Sequence, residues 1–409
     1  ILGQRCFQMQ KFPYYAITVR RYNVLFRHTD WLKKTQELYN EILLFYYRLY
    51  LETFPNQQPG TQEALRILET LTIVGRDKQP VPTPLPWKKI PLYFRRAAIN
   101  TATAAAKSYL ARGTQEHPTE KFTESVTFYK GMYRDFQDNT ISLKLWNGES
   151  WQWSRLRLRG NTVPEAGQMM SPALVLTKDR AELHIPWKLP VSDGRSARER
   201  ITAEENICSV VFTGQDTCAV CCILNADGRR ENRFFIKGGS RYAGACRQIT
   251  EKLDKSREVQ GGGENPRANA HYWERLRNIH DHYAHQFSRQ IIDYCKTQNA
   301  RILVLPEFDK DYSQIILAVA GRNSPIRLIP SIREKLKYKA WQEGIVVVEI
   351  QQHQISSVCS QCGAKIRRKG GDFLCQNGHR GNRYLNMAHN LGQKCLDGFA
   401  ATADQEKSK

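Results

Sequence analysis

An α/β domain coupled to an antiparallel β-barrel domain is the fold class this sequence predicts. Two patterns lead to it. Residues 121–190 break into short alternating runs separated by turn residues. From 207 to 351, longer apolar strand runs alternate with helical patterns.

Residues 12–26 are rich in aromatic and β-branched side chains and read as a strand. Trp31, Leu38, Ile42, Phe45 and Leu49 then recur at helical spacing over 30–53. A second helix follows at 61–74. The four prolines of 77–90 make that stretch a loop, and the Ala-rich segment 91–112 is a third helix opened by Pro91. The runs SVTFYKG, TISLKLW, WSRLRLRG, ALVLTKD and AELHIPW form the antiparallel sheet or small barrel. The polar stretch near 191–205 reads as a linker. Three strands fill 207–238, with Asp227-Gly228 as a hairpin signal. Gly261-Gly262-Gly263 marks a flexible loop. Trp273, Leu276, Ile279, Tyr283, Phe287, Ile291 and Tyr294 share one helical face. A buried strand at 301–306, a basic helix near 328–342 and a strand at 344–351 complete the series. Three strands, helix, strand, helix, strand is the order of the RNase H/RuvC fold.

The chain has 409 residues, enough for two or three domains. Lys and Arg number 61 against 40 Asp and Glu, a net charge of +21. That excess, interleaved with aromatics, points to a polyanion partner, namely nucleic acid. No apolar run approaches the roughly 18 residues that cross a bilayer, so no membrane partner is expected. No secretory pattern opens the sequence; Lys11, Arg20 and Arg21 flank strand-like residues instead. Of eleven cysteines, Cys208, Cys218, Cys221 and Cys222 lie in apolar runs as packing groups, a usage that suits a reducing cytoplasm.

Cys359-x2-Cys362 and Cys375-x3-His379 have the spacing of two zinc knuckles. Tetrahedral zinc takes four such donors, and the twelve intervening residues can form the connecting hairpin. Gly378 stands at the third place after Cys375, which leaves His379 as the nearby fourth ligand. Four protein ligands close the site, so this zinc is expected to be structural.

The ribbon is followed by Asn382-Arg-Tyr384-Leu-Asn386-Met-Ala-His-Asn390-Leu. Ribbon and motif together resemble the C-terminal end of the TnpB transposon proteins and the Cas12 effectors. The helix opening Pro91-Leu-Tyr-Phe-Arg95-Arg96 also resembles a TnpB N-terminal helix. The resemblance implies a RuvC/RNase H-like domain with an inserted zinc ribbon, and an N-terminal wedge β-barrel domain carrying a helical recognition lobe. It implies wedge segments 1–27 and 118–195 and a helical lobe over 28–117. RuvC-like segments at 196–351 and 381–396, a ribbon at 352–380 and a flexible tail at 397–409 complete the division.

Family nucleases hold two divalent ions on carboxylates. Aligned on Gly214 and Ala219-Val220, the first acidic position falls on Phe212. Glu307 keeps the second, and Tyr384 occupies the third. Phe and Tyr supply no anionic ligand. Asp216, four residues past Phe212, is expected to miss the centre. The resemblance thus implies a RuvC-like fold that is not an enzyme, with no Mg²⁺ at the RuvC site. Such a chain would bind without cutting, repressing transcription or recruiting a partner, as TnpB-like repressors do. An active RNA-guided endonuclease with a rearranged metal site, and a guide-independent zinc-ribbon DNA-binding factor, are the alternatives.

The implied partners are a guide RNA and a double-stranded DNA target with a short flanking motif; the implied location is the nucleoid of a prokaryotic cytoplasm. Arg20 and Arg21 on the first strand are candidate phosphate contacts, as are Lys88, Lys89, Arg95 and Arg96 at the third helix. Arg155, Arg157 and Arg159 alternate with Leu156 and Leu158, which makes one strand face wholly basic. Arg367 and Arg368, with Lys369, are candidates at the ribbon tip.

Overall fold

The computed structural model describes residues 15–55, 58–75, 78–112, 118–160, 162–164, 166–177, 180–191, 193–259, 269–308 and 312–407. They divide into two compact units, one of Ile17–Leu189 and one formed chiefly by Pro190–Lys409. Among the described residues no helix is long and apolar enough to cross a membrane.

In the first unit, β1 (Tyr15–Leu25) leads into α1 (Thr29–Thr53), α2 (Thr61–Thr72) and α3 (Leu92–Arg112). The first three residues of the expected strand 12–26 lie outside the described set. Leu32, Leu38, Tyr39, Ile42, Leu43, Tyr46, Leu49 and Tyr50 line the buried side of α1. The Tyr39 ring meets Phe94 of α3 edge-on at 5.4 Å, and its hydroxyl bonds to Thr101 Oγ1 at 2.8 Å. Small side chains on α3 (Ala97, Ala98, Ala102, Ala106) let the helices approach closely.

Seven strands follow: β2 (Val126–Thr127), β3 (Tyr133–Gln137), β4 (Thr140–Trp146), β5 (Trp151–Gly160), β6 (Gln168–Met169), β7 (Ala173–Leu176) and β8 (Ala181–Pro190). They join β1 in one sheet of order β2-β7-β8-β1-β5-β4-β3, with β6 on β8. The closed barrel expected from the sequence is not found among the described residues. Strand β2 has two residues, and β3 is broken by a register shift between Arg134 and Gln137 with Asp135 at φ 52°. Neither edge offers a ladder long enough to close on the other.

The second unit starts with α4 (Ala197–Thr202). The expected linker near 191–205 is instead an ordered ion network. Ser196 and Glu199 form a capping box. Arg200 is completely buried. Its guanidinium donates to the carbonyls of Asp193 (2.9 Å), Arg195 (3.0 Å) and Arg301 (3.4 Å) and pairs with Asp193 and Glu205. Hydrogen bonds from Arg195 hold the Asp193 carboxyl down at about 2.

Next come β9 (Asn206–Phe212), β10 (Thr217–Leu224), β11 (Arg230–Lys237), α5 (Gly239–Val259), α6 (Ala270–Thr297), β12 (Ala300–Glu307), α7 (Tyr312–Val319), α8 (Ile329–Gln342) and β13 (Val346–Gln351). The five strands order as β11-β10-β9-β12-β13, antiparallel on the β11 side and parallel from β9 to β13. Both faces are covered, which is why these strands read as continuous apolar runs. Cys208, Val210, Leu303 and Leu305 join one core with Phe287, Ile291 and Leu336 of α6 and α8. Ile207, Val211, Ile302 and Val304 face the other, with Leu385, Ala388 and Leu391. Helix α5 was not foreseen, and α7 was not either; the Gly261–Gly263 loop lies outside the described residues.

A three-stranded ribbon, β14 (Ile366–Lys369), β15 (Asp372–Cys375) and β16 (Arg380–Asn382), leads to the last helix, α9 (Arg383–Lys407). The segment 397–409, expected as a flexible tail, begins inside this helix. Ser209 Oγ on β9 donates to Ala388 O at 2.6 Å and docks α9 on the sheet.

Candidate metal centre and nucleic-acid interface

The two knuckles bring Cys359, Cys362, Cys375 and His379 together, with all four donor atoms within 4.8 Å of one another. Cys362 Sγ lies 3.5 Å from Cys375 Sγ, and His379 Nδ1 lies 3.6 Å from Cys375 Sγ and 3.8 Å from Cys359 Sγ. A tetrahedral ion about 2.3 Å from sulfur sets neighbouring sulfurs about 3.8 Å apart, so the cage fits zinc. Each knuckle is a tight turn: Gly363 N donates to Cys359 O and Gly378 N to Cys375 O. Both glycines sit at positive φ (71° and 85°), where a side chain would be strained. Asn377 N donates to Cys375 Sγ at 3.1 Å. The backbone N–H of Ala364 holds the Cys362 thiol below its usual range. That bond favours the Cys362 thiolate, the form that binds metal, whereas burial pushes the Cys359 thiol up.

Helix α9 braces the first knuckle. Asn386 Oδ1 accepts Ser360 N and its Nδ2 donates to Val358 O, both at 2.8 Å. Asn390, one turn on, donates to Ile355 O (2.9 Å) and Val358 O (3.0 Å). At the start of the helix Asn382 Oδ1 caps Tyr384 N and Leu385 N, both at 3.0 Å.

Phe212 ends β9 opposite Ala219 of β10, and its ring packs into the core beneath α6 and α8. Tyr384 packs into the core on the other face, with the Arg383 guanidinium 4.5 Å over its ring. Glu307 ends β12 with its side chain exposed. Asp216 caps α5, accepting Ser240 N at 3.1 Å, and that bond holds its carboxyl below the usual range. Among the described residues, the Cys₃His cage is the one group of three or more Cys, His, Asp or Glu ligands within mutual reach. Asp309 and Asp311, which follow Glu307 in the sequence, lie outside the described residues.

The candidate basic residues divide. Arg155, Arg157 and Arg159 all project from the exposed face of β5, while Leu156 and Leu158 are buried behind them. Cross-strand partners extend this face: Asn23 opposes Arg159, Thr140 opposes Arg157, and Ser142 and then Arg134 oppose Arg155. Arg134 lies 4.2 Å over the exposed Trp153 ring, and Lys144 opposes Trp153. Sequence reading missed Arg134, Lys144 and Trp153, although the alternation of β4 with β5 carried the signal. Arg155 donates to Thr140 Oγ1 at 3.1 Å, whereas no described residue pairs with the guanidiniums of Arg157 or Arg159. Arg21 is on the exposed face of β1, but Arg20 shares the inward face with buried Tyr22, so the pair does not act together.

Lys88 and Lys89 are exposed in the loop before α3. Arg95 and Arg96 are not a free phosphate clamp. Both pair with Glu69 of α2, at 2.9 and 2.8 Å, and Arg95 is only 11% exposed. Burial raises the Glu69 carboxyl, but the two guanidiniums overcome it and hold the group below the ordinary range. Arg367 and Arg368 point to opposite faces of the ribbon: Arg367 aligns with Leu374 and Arg380, Arg368 with buried Phe373 and Gly381.

Residues 14–147 match the Aq_aa04 family, and residues 331–391 match the Cas12f1-like, TNB domain. A search of the curated proteins finds no match. Among solved structures, the chain resembles a Cas12f1–sgRNA–target DNA complex at 13% identity, over 88% of this chain and 81% of that one, with a TM-score of 0.55. It also resembles the mini-RNA-guided endonuclease CRISPR-Cas_phi3 at 9% identity, over 94% and 93%, with a TM-score of 0.53. The fold is thus Cas12-like, and the domain match supports the TnpB/Cas12 resemblance. The expectation that this chain is not an enzyme is corrected by the same finding. Its matches are to Cas12 RNA-guided nucleases, and nothing shows this member to be inactive. Two lost acidic positions identify the residues at those positions, not every carboxylate that could reach a metal.

Proposed function

We propose that this chain is an RNA-guided DNA-binding effector. A guide RNA pairs with one strand of a DNA target, and the protein holds the resulting duplex through its phosphates and reads a short flanking motif. The observation that carries the reading is the open face of β5. Arg155, Arg157 and Arg159 stand in one row beside Arg134 and Trp153, a combination suited to phosphates and bases. Three aligned guanidiniums repel one another without an anion between them. The likeness to chains solved with guide RNA and target DNA supports it. In this reading the segments 1–27 and 118–195 belong to the wedge and 28–117 to the helical lobe. RuvC-like segments 196–351 and 381–396 then flank the ribbon 352–380. Cys359, Cys362, Cys375 and His379 would hold a structural Zn²⁺, which supplies a cross-link where no large core exists. Guided occupancy of a promoter would also repress transcription.

The test is co-purification. Sequencing of bound RNA is expected to return one discrete species, and DNA binding is expected to require complementarity to it. Heterogeneous RNA together with guide-independent DNA binding would sink the proposal. Metal analysis is expected to find about one zinc per chain.

A second reading has a specific observation behind it. Glu307 is exposed at the end of a central strand of a fold shared with an RNA-guided endonuclease, and Asp309 and Asp311 follow it in sequence. We propose that any cleavage centre is built around Glu307 rather than on the Phe212 and Tyr384 positions. Guide-dependent cleavage in Mg²⁺ or Mn²⁺ that disappears in Glu307→Gln would support this. A target left intact by the unaltered protein would defeat it and leave guided binding standing.

A further inference from the structure

A cavity of about 350 Å³ opens between the edge strand β11, the ribbon and the start of α9. Arg230, Arg233 and Arg380 line it, and no acidic residue does. All three are exposed, and no described residue forms an ion pair with them. Phe235 and Phe373 supply apolar walls, and the exposed amide of Gln361 offers both a donor and an acceptor.

The strand register sets this cavity apart from the Phe212 and Glu307 end of the sheet, while Asn382 and Leu385, on either side of Tyr384, line its helix side. Arg230 opposes Leu224, which opposes Ile207; Arg233 opposes Cys222, which opposes Ser209. Both arginines therefore flank the first half of β9. Phe212 ends that strand three to five residues further on, about 10–17 Å away.

We propose that this cavity is a binding site for a nucleoside 5′-phosphate, either free or at the end of a strand. Three guanidiniums around a space with no carboxylate create a field that an anion relieves, and their forked donors match phosphate oxygens. Phosphate alone leaves the aromatic walls unused. A base fills them, with Gln361 placed to meet its polar edge. The volume falls at the lower end of the range of small-molecule sites. The site stands apart from the guided-binding reading, because it is tested on protein without guide RNA.

The experiment uses the full chain, stripped of RNA by high salt, and titrates it by calorimetry with adenosine 5′-monophosphate. A 5′-phosphorylated adenosine trinucleotide, adenosine and inorganic phosphate are titrated in parallel. Saturable binding of the monophosphate or the trinucleotide is expected, weakened about tenfold or more in Arg233→Gln/Arg380→Gln. Both substitutions are at exposed positions, and an unchanged Tm and zinc content verify the fold. Binding of the monophosphate assigns a free nucleotide, and binding of the trinucleotide alone assigns a strand end. Absence of binding by both, equal binding by inorganic phosphate, or binding unaffected by the double substitution overturns the proposal.

Discussion

Asn386 Oδ1 accepts the backbone N–H of Ser360 at 2.8 Å, so a side chain from the last helix fixes the turn between the first two zinc-spaced cysteines. The same amide donates to Val358 O on the other side of Cys359. One residue thereby ties the ribbon to the helix packed on the central sheet.

Asn386→Ala leaves the Ser360 N–H without that partner, while Val358 O keeps the Asn390 amide. The expected cost is about 1–3 kcal/mol, the range for an unsatisfied polar group. Zinc release to a chromogenic chelator is expected to quicken about tenfold, in line with loss of an outer-shell support. Release at the unaltered rate would show that the knuckle holds its shape unaided.

Glu69 is the sole acid bonded to both Arg95 and Arg96 among the described residues, and it joins α2 to α3. Glu69→Gln removes the charge and strands two partly buried guanidiniums, for an expected loss of about 2–3 kcal/mol. Because the folded carboxyl is held low, its contribution is complete above the unfolded value near pH 4.3 and is lost as pH falls through the folded value. Guanidinium titrations at pH 7 and at pH 3 check this. The gap between the two proteins is expected to shrink at the lower pH.

Arg157 and Arg159 have no described partner, so their removal is expected to cost nucleic-acid affinity and not fold. In Arg157→Gln/Arg159→Gln the slope of log affinity against log salt is expected to fall in magnitude by about 1.5, two phosphate contacts' worth. Guide-RNA titrations across a salt series measure it. An unchanged slope would remove β5 from the interface.

Lys339 is 9% exposed between α6 and α8, where its ammonium donates to Ser288 Oγ at 2.8 Å and His285 O at 2.9 Å. Burial, then Arg289 and Lys335, push it down to about 8, against weaker support from Asp293 and Asp281. The unfolded chain keeps this proton to about pH 10.4, so stability rises as pH climbs from about 8 towards that value. Below pH 8 both states are protonated and the penalty is fully present. Lys339→Met is expected to abolish this rise, on the order of 2–3 kcal/mol, when denaturant midpoints of the two proteins are compared at pH 7.5 and 10.

The Cys359, Cys362, Cys375 and His379 cluster, the strands of the central sheet and the helices at 29–53 and 92–112 were legible because local spacing carries them. Ligand intervals, period-two alternation and helical periodicity are properties of neighbours along the chain. Helix α4 was also written locally, as the Ser196–Glu199 capping box, yet its charged composition masked it. What pairs with what was decided only in three dimensions. Arg95 and Arg96 read as candidate phosphate contacts until Glu69, on another helix, paired with both. Arg200 read as linker until Asp193 and Glu205 enclosed it. Among the described residues the barrel does not close, because a bulge in β3 and the shortness of β2 spoil its edges. Sequence determines which groups a residue carries and which face of its own element it occupies. Whether a cation meets an acid or solvent depends on elements distant in the chain, and packing alone sets that.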